Sequence, residues 1–162
     1  SGLPNYPHLH LPITQRSEIV DPFAPSQANA CSEPFETLWL DTPPYADAGL
    51  FTVGISDAVP DLAAVQTGIA RRTVLSRTDA MVLYAHIFQG NTHDRIELTM
   101  TGPGGDVFDH IATLDQDQAQ SMRAYGRRAP DAGWPKGDYR GYVRLLRGNT
   151  ILAVRHADVT VE

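Results

Sequence analysis

From about Leu38 onward, apolar and polar side chains alternate along most of this chain. Phe51, Val53 and Ile55 alternate with Thr52, Gly54 and Ser56, and Ile96, Leu98 and Met100 alternate with Arg95, Glu97, Thr99 and Thr101. Successive side chains of a strand point to opposite faces, so each run predicts a strand with one face in a core and the other toward water. Ala80–Phe88 is apolar almost throughout, which suits a central strand covered on both sides. Val107–Leu114 and Ala119–Tyr125 read as further strands, and Tyr139–Leu146 with Ile151–Val161 as a closing hairpin. Gly102-Pro103-Gly104-Gly105-Asp106 and Arg147-Gly148-Asn149-Thr150 supply turns where Gly and Asn accept positive φ at low cost.

One segment breaks the period of two. Asp61 is placed to cap a short helix in which Leu62 and Val65 share a face, and Gly68 is placed to end it. The pattern predicts an all-β fold: an immunoglobulin-like β-sandwich of about seven strands with one short helix. Trp134, ahead of Pro135-Lys136-Gly137-Asp138-Tyr139, is expected at an edge of its core.

The first thirty or so residues follow a different rule. Pro4, Pro7, Pro12, Pro22 and Pro25 crowd this stretch. His8–Thr14 reads as a strand, Gln15–Ser17 as a turn and Glu18–Val20 as a short return strand, with Pro12 restricting the first to an edge. Asp21–Pro34, rich in Pro, Ala, Ser, Asn and Gln, reads as a linker. The expected division is therefore a hairpin plus linker over 1–30 and the sandwich domain over 31–162.

Composition narrows the function. The chain has 162 residues and a formal charge of −6, and an acidic chain does not favour nucleic acid, whose phosphates need clustered Lys and Arg. Arg71-Arg72 and Arg127-Arg128 are too short to change that and read as solvated surface. Cys31 is the only cysteine and has no internal disulfide partner. No apolar run is long enough to span a bilayer. Ser1-Gly2 reads as a cut site or cloning remnant, so the natural N-terminus is expected upstream.

His8 and His10 carry the most direct chemical signal. On a strand their imidazoles share a face, a spacing suited to a metal or to one ligand beside a proton-transfer group. A double-His strand site would also want a Glu shortly after His10, and Leu11, Pro12, Ile13, Thr14 and Gln15 offer none. The other histidines are His86, His93, His110 and His156, with Asp94, Asp109 and Asp158 close by in sequence. His86 falls in phase with Val82, Tyr84 and Phe88, which predicts a hydrogen-bonded core residue. No Ser-His-Asp arrangement and no phosphate-cradling glycine loop is legible.

Asn5-Tyr6-Pro7-His8-Leu9-His10-Leu11, followed by a hairpin and then Val20-Asp21-Pro22-Phe23, resembles the end of the catalytic domain of lysostaphin-type (LytM-like) zinc metallopeptidases. The resemblance covers about residues 5–25, and residues 38–162 are similar to a β-sandwich appended to that domain in some proteobacterial members. It implies a cell-wall endopeptidase acting on peptidoglycan peptides, periplasmic or secreted. It implies zinc as cofactor, His10 as a metal ligand, and His8 as the catalytic residue that assists the metal-bound water. The family's other two ligands, a His and an Asp, lie upstream, where this chain has only Ser1–Pro7, and Leu11-Pro12-Ile13 stands where the family has Phe-Glu-Val. One imidazole does not retain catalytic zinc, so this chain alone is expected to be inactive and to need the missing catalytic-domain portion.

Two other readings compete. In one, the sandwich is a non-catalytic binding or scaffolding module for cell-wall glycan, peptide or a protein partner, with Trp39, Tyr45, Tyr125, Trp134 and Tyr142 as candidate contacts. In the other, residues 3–25 add as edge strands to a separate chain that supplies the upstream ligands.

Overall fold

Leu83, Ala85 and Ile87 on one strand face Ile96, Leu98 and Met100 on another and Val143 and Leu145 on a third, all buried in a single core. That interdigitation of two sheets defines the molecule: an immunoglobulin-like β-sandwich, seen in a computed structural model that describes residues 12–24, 37–42, 44 and 46–162. The chain divides into two units, Ser1–Tyr45 and Ala46–Glu162.

In the first unit, β1 (Thr14–Gln15) pairs antiparallel with β2 (Glu18–Ile19). Arg16 and Ser17 between them both have positive φ, as a tight two-residue hairpin requires. The described start of the expected linker forms a turn, with the Phe23 N–H donating to Asp21 Oδ1 at 2.9 Å. His8, His10, Cys31 and Tyr45 lie outside the described residues.

The second unit holds the sandwich. Its strands are β3 (Gly49–Ser56), β4 (Val74–Leu75), β5 (Met81–Gly90), β6 (Arg95–Gly102), β7 (Gly105–Thr113), β8 (Gln118–Arg127), β9 (Gly137–Arg147) and β10 (Thr150–Val161). One sheet runs in the order β4-β10-β9-β6-β7 and the other β3-β5-β8. On one side β3 lies beside β10, and on the other a T-shaped contact between Phe108 and Tyr125 links β7 to β8. Gly141 lies in the middle of β9, where an added Cβ would meet Leu83 Cδ1 at 2.6 Å, so glycine lets the two sheets approach there.

Helix α1 (Leu62–Thr67) covers the outer face of the smaller sheet. Asp61 caps it by accepting from the Ala64 N–H at 2.7 Å, and Gly68 ends it at φ 80 with its N–H donating to the Val65 carbonyl. Val65 and Ala70 then pack on Tyr84, with Ala64, Met122 and Ala124 around them. Trp134 is buried in the core cluster, and its indole N–H donates to the Asp79 carbonyl at 2.8 Å.

One strand departs from the sequence pattern. Phe51, Val53 and Ile55 were expected on one face, but the β3–β5 ladder slips between Leu50 and Thr52. That bulge places Leu50 in the core with Val53 and Ile55 and turns Phe51 outward, 49% exposed.

Candidate functional site

The outer face of the five-stranded sheet is where functional groups collect in the open. β9 presents Asp138, Arg140, Tyr142 and Arg144 at every second position, while Tyr139, Gly141, Val143 and Leu145 point inward and are buried. β10 runs beside it with Val154, His156, Asp158 and Thr160 in the facing positions. On the other flank Glu97 of β6 pairs with Arg144, and Thr99 with Tyr142. Beyond these, β7 contributes Asp109 opposite Thr99 and Ile111 opposite Glu97.

Cross-strand register turns these rows into a connected surface. Arg140 lies opposite Asp158 and grips it with a fork, Nε to Oδ1 at 2.6 Å and Nη2 to Oδ2 at 3.2 Å. Arg144 Nη2 meets Glu97 Oε2 at 2.5 Å. The Thr160 hydroxyl donates to Asp138 at 2.7 Å. Tyr142 stands among them, 41% exposed, its ring 5.8 Å from the ring of His156 on the neighbouring strand. The His156 Nε2 lies 3.8 Å from Asp158 Oδ2.

The electrostatics follow from the pairing. The hydrogen bonds from Arg140 hold the Asp158 carboxyl below its ordinary value, with partial desolvation opposing. Arg140 in turn is held charged, first by its bonds to Asp158 and then by a bond to Tyr142. A carboxylate kept ionised in this way is the reverse of what a general acid at neutral pH requires. What the face offers is an aromatic ring ringed by paired donors and acceptors.

The remaining candidates fall elsewhere. His86 is 4% exposed and its Nε2 shares the Gln120 Oε1 atom at 3.2 Å with the side-chain amide of Gln66, as a satisfied buried histidine should. Burial pushes its pKa down, against a smaller opposing effect of the bond to Gln120. His93 occupies the turn between β5 and β6 at φ 71, and the neighbouring Asp94 is buried against Arg147. His110 stacks flat on Tyr125 at 3.9 Å. Trp39 packs against Phe23. Of the four proposed contact aromatics among the described residues, Tyr142 is the one displayed on the face of the five-stranded sheet. Sequence reasoning passed over Arg140, Arg144 and Glu97 as functional groups and weighed Asp158 only as a neighbour of His156. The signal was present, in the alternating charges of Asp138-x-Arg140-x-Tyr142-x-Arg144 and His156-x-Asp158. Among the described residues, no three His, Cys, Asp or Glu side chains gather closely enough to hold a metal ion, and no helix is long and apolar enough to cross a membrane.

No family model matches this chain, and no curated protein does. Solved structures do. The C-terminal domain of Wzt superposes with a TM-score of 0.50 at 11% identity, over 73% of this chain and 75% of that one. The CARDB domain of a Pyrococcus furiosus protein, crystallised with di-metal ions, gives 0.43 at 12% identity, over 80% of this chain and 100% of that one. A Bifidobacterium dentium beta-glucuronidase gives 0.42 at 16% identity, over 72% of this chain and 18% of that one. At these identities the likeness is one of fold. It overturns the expectation of a lysostaphin-type zinc peptidase, together with the hydrolase and metallopeptidase character that expectation implied. The matching folds are β-sandwich domains, and no matching family or curated protein is a peptidase of that type. The resemblance rested on two short motifs, and motifs of that length recur without the fold that gives them meaning. The chain is a β-sandwich module.

Proposed function

We propose that this chain is a non-catalytic recognition module that holds glycan on the outer face of its five-stranded sheet. One observation carries the reading: Tyr142 stands exposed on a sheet face, among side chains whose charges are already paired. An apolar ring face suits the C–H face of a sugar ring. The Arg140–Asp158 and Arg144–Glu97 pairs suit hydroxyl groups, which both donate and accept. Because the charges are paired, the face asks for a neutral, hydroxyl-rich ligand rather than an anion. Its strands are rigid, so little ordering entropy is lost on binding.

The test is retention on insoluble polysaccharides, with peptidoglycan and neutral glucans as separate resins. The intact chain should be retained on at least one, and Tyr142→Ala should be released by about tenfold lower affinity or more, the scale of an interface anchor. Retention that survives Tyr142→Ala and Arg140→Ala together would remove this face from consideration. Absence of retention on every resin would remove glycan.

A further inference from the structure

We propose that the seam between β3 and β10 takes a short extended peptide bearing carboxylate side chains, added as a strand along the open edge of β10. β10 is the outer neighbour of β9, and β4 covers its far side only at Thr160 and Val161. From Thr150 to Val159 that edge has no ladder partner among the described residues, so its outward N–H and C=O groups are a template for another strand.

Two hollows that share Val154 and Arg155 lie along this edge. One, of about 380 Å³, is lined by Phe51, Thr52, Val53, Arg71, Val154, Arg155 and His156. The other, of about 390 Å³, also includes Val154 and Arg155 and extends to Leu152 and Phe88. Phe51 reaches the seam through the bulge in β3, and Val154 is half exposed beside it, so two apolar side chains stand in a lining that is otherwise mostly polar. Arg155 donates from Nε to the Leu50 carbonyl at 2.8 Å, which closes that position of the β3 edge and leaves the β10 edge as the template. A bulge at Leu152 marks one end of the regular edge and β4 the other.

Charge selects the occupant. Among the described residues, the first hollow is lined by Arg71, Arg155 and His156 and by no carboxylate, in a chain whose acidic residues outnumber its basic ones by 19 to 13. The nearby Asp158 is already gripped by Arg140. The Arg155 fork keeps its terminal nitrogens beyond the bond to Leu50, and a carboxylate matches that geometry. An open strand edge in turn demands alternating amide donors and acceptors, which a peptide has and an acidic sugar or lipid lacks. Together these select an acidic peptide.

The experiment titrates the full isotopically labelled chain with an acetylated peptide in which threonine and glutamate alternate. Amide shifts should move along Leu152–His156 and Phe51–Val53, with Thr99 and Ile111 unmoved. The same peptide with lysine for glutamate, and the variant Arg71→Glu, should each bind about tenfold more weakly or worse. Backbone N-methylation at alternate residues should abolish binding in one register and spare it in the other. Equal binding of the lysine peptide, indifference to methylation in both registers, or no binding of the glutamate peptide would each overturn the proposal. Failure of glycan retention would leave it standing, because the groove shares only Val154 and His156 with the sheet face.

Discussion

The two outer faces of this sandwich solve one problem in opposite ways. On the smaller sheet, β5 turns Val82, Tyr84 and His86 away from the core, and all three are buried. Helix α1 and the residues after it form the roof, with Val65 and Ala70 on Tyr84, and Gln66 tied through Gln120 to His86. On the larger sheet, β9 and β10 turn Arg140, Tyr142, Arg144, His156 and Asp158 outward and nothing described in this unit covers them. An apolar face left open invites aggregation, so it needs a roof. A face whose charges pair across strands is stable in water and can stay bare. The comparison separates two ways of finishing a sheet: the covered face holds the fold together, and the other is left open among the described residues of this unit.

The largest expected effect tests the covered face. Tyr84 is 1% exposed, and burial pushes its phenol pKa up against the opposing pull of Arg71 and Arg72. An alanine at Gly54 would put its Cβ into the Tyr84 ring, which shows how closely that ring lies over β3. Tyr84→Ala should therefore destabilise the sandwich by about 3–5 kcal/mol, the scale of a buried aromatic truncation. Denaturant unfolding checks it. A loss under about 1 kcal/mol would mean the roof is decorative and the contrast between the faces is false.

Much of this architecture is legible in the sequence, for reasons that differ by element. Ile96, Leu98 and Met100 alternate cleanly because β6 is buried on one side only, and all three are in the core. The long apolar run of β5 reflects burial on both sides, by the core and by α1. Asp61 and Gly68 announce the helix because capping is local chemistry. Phe51 misleads because a bulge is a property of the pairing between β3 and β5, not of either strand alone. The candidate site was half legible for the same reason. Tyr142 stands out as an aromatic in an alternating strand, but the match of Arg140 with Asp158 depends on the β9–β10 register. His8 and His10, the loudest chemical signal, lie outside the described residues.

A smaller effect probes how firmly the roof is fixed. Asp61→Ala removes the acceptor for the Ala64 N–H and should cost about 1 kcal/mol, with no change in any property of the bare face. The same roof should show in a pH titration. His86 has a folded-state pKa below its ordinary value, so the unfolded chain binds the proton more readily. Stability from this site is thus complete above about pH 7 and declines as pH falls through about 6.5 toward the folded value, where it levels off. His86→Gln should flatten that slope between about pH 7.5 and about pH 5.5 in urea melts. An unchanged slope would assign the pH dependence elsewhere and loosen the link between Gln120 and the covered face.

The smallest stability effect is the one on which the comparison turns. Tyr142 holds no core contact and stands beside pairs that persist without it, so Tyr142→Ala should shift unfolding by no more than about 0.5 kcal/mol. Measured beside Tyr84→Ala, this places two tyrosines of one sandwich at opposite ends of the scale, although each sits on an outward position of a strand. If Tyr142→Ala destabilises the chain as much as Tyr84→Ala does, the ring is bracing the β9–β10 register through His156 and Arg140. The bare face is then structural, and its polar groups are not free to serve a ligand. If stability holds while glycan retention falls, the tyrosine's exposure is explained by binding alone.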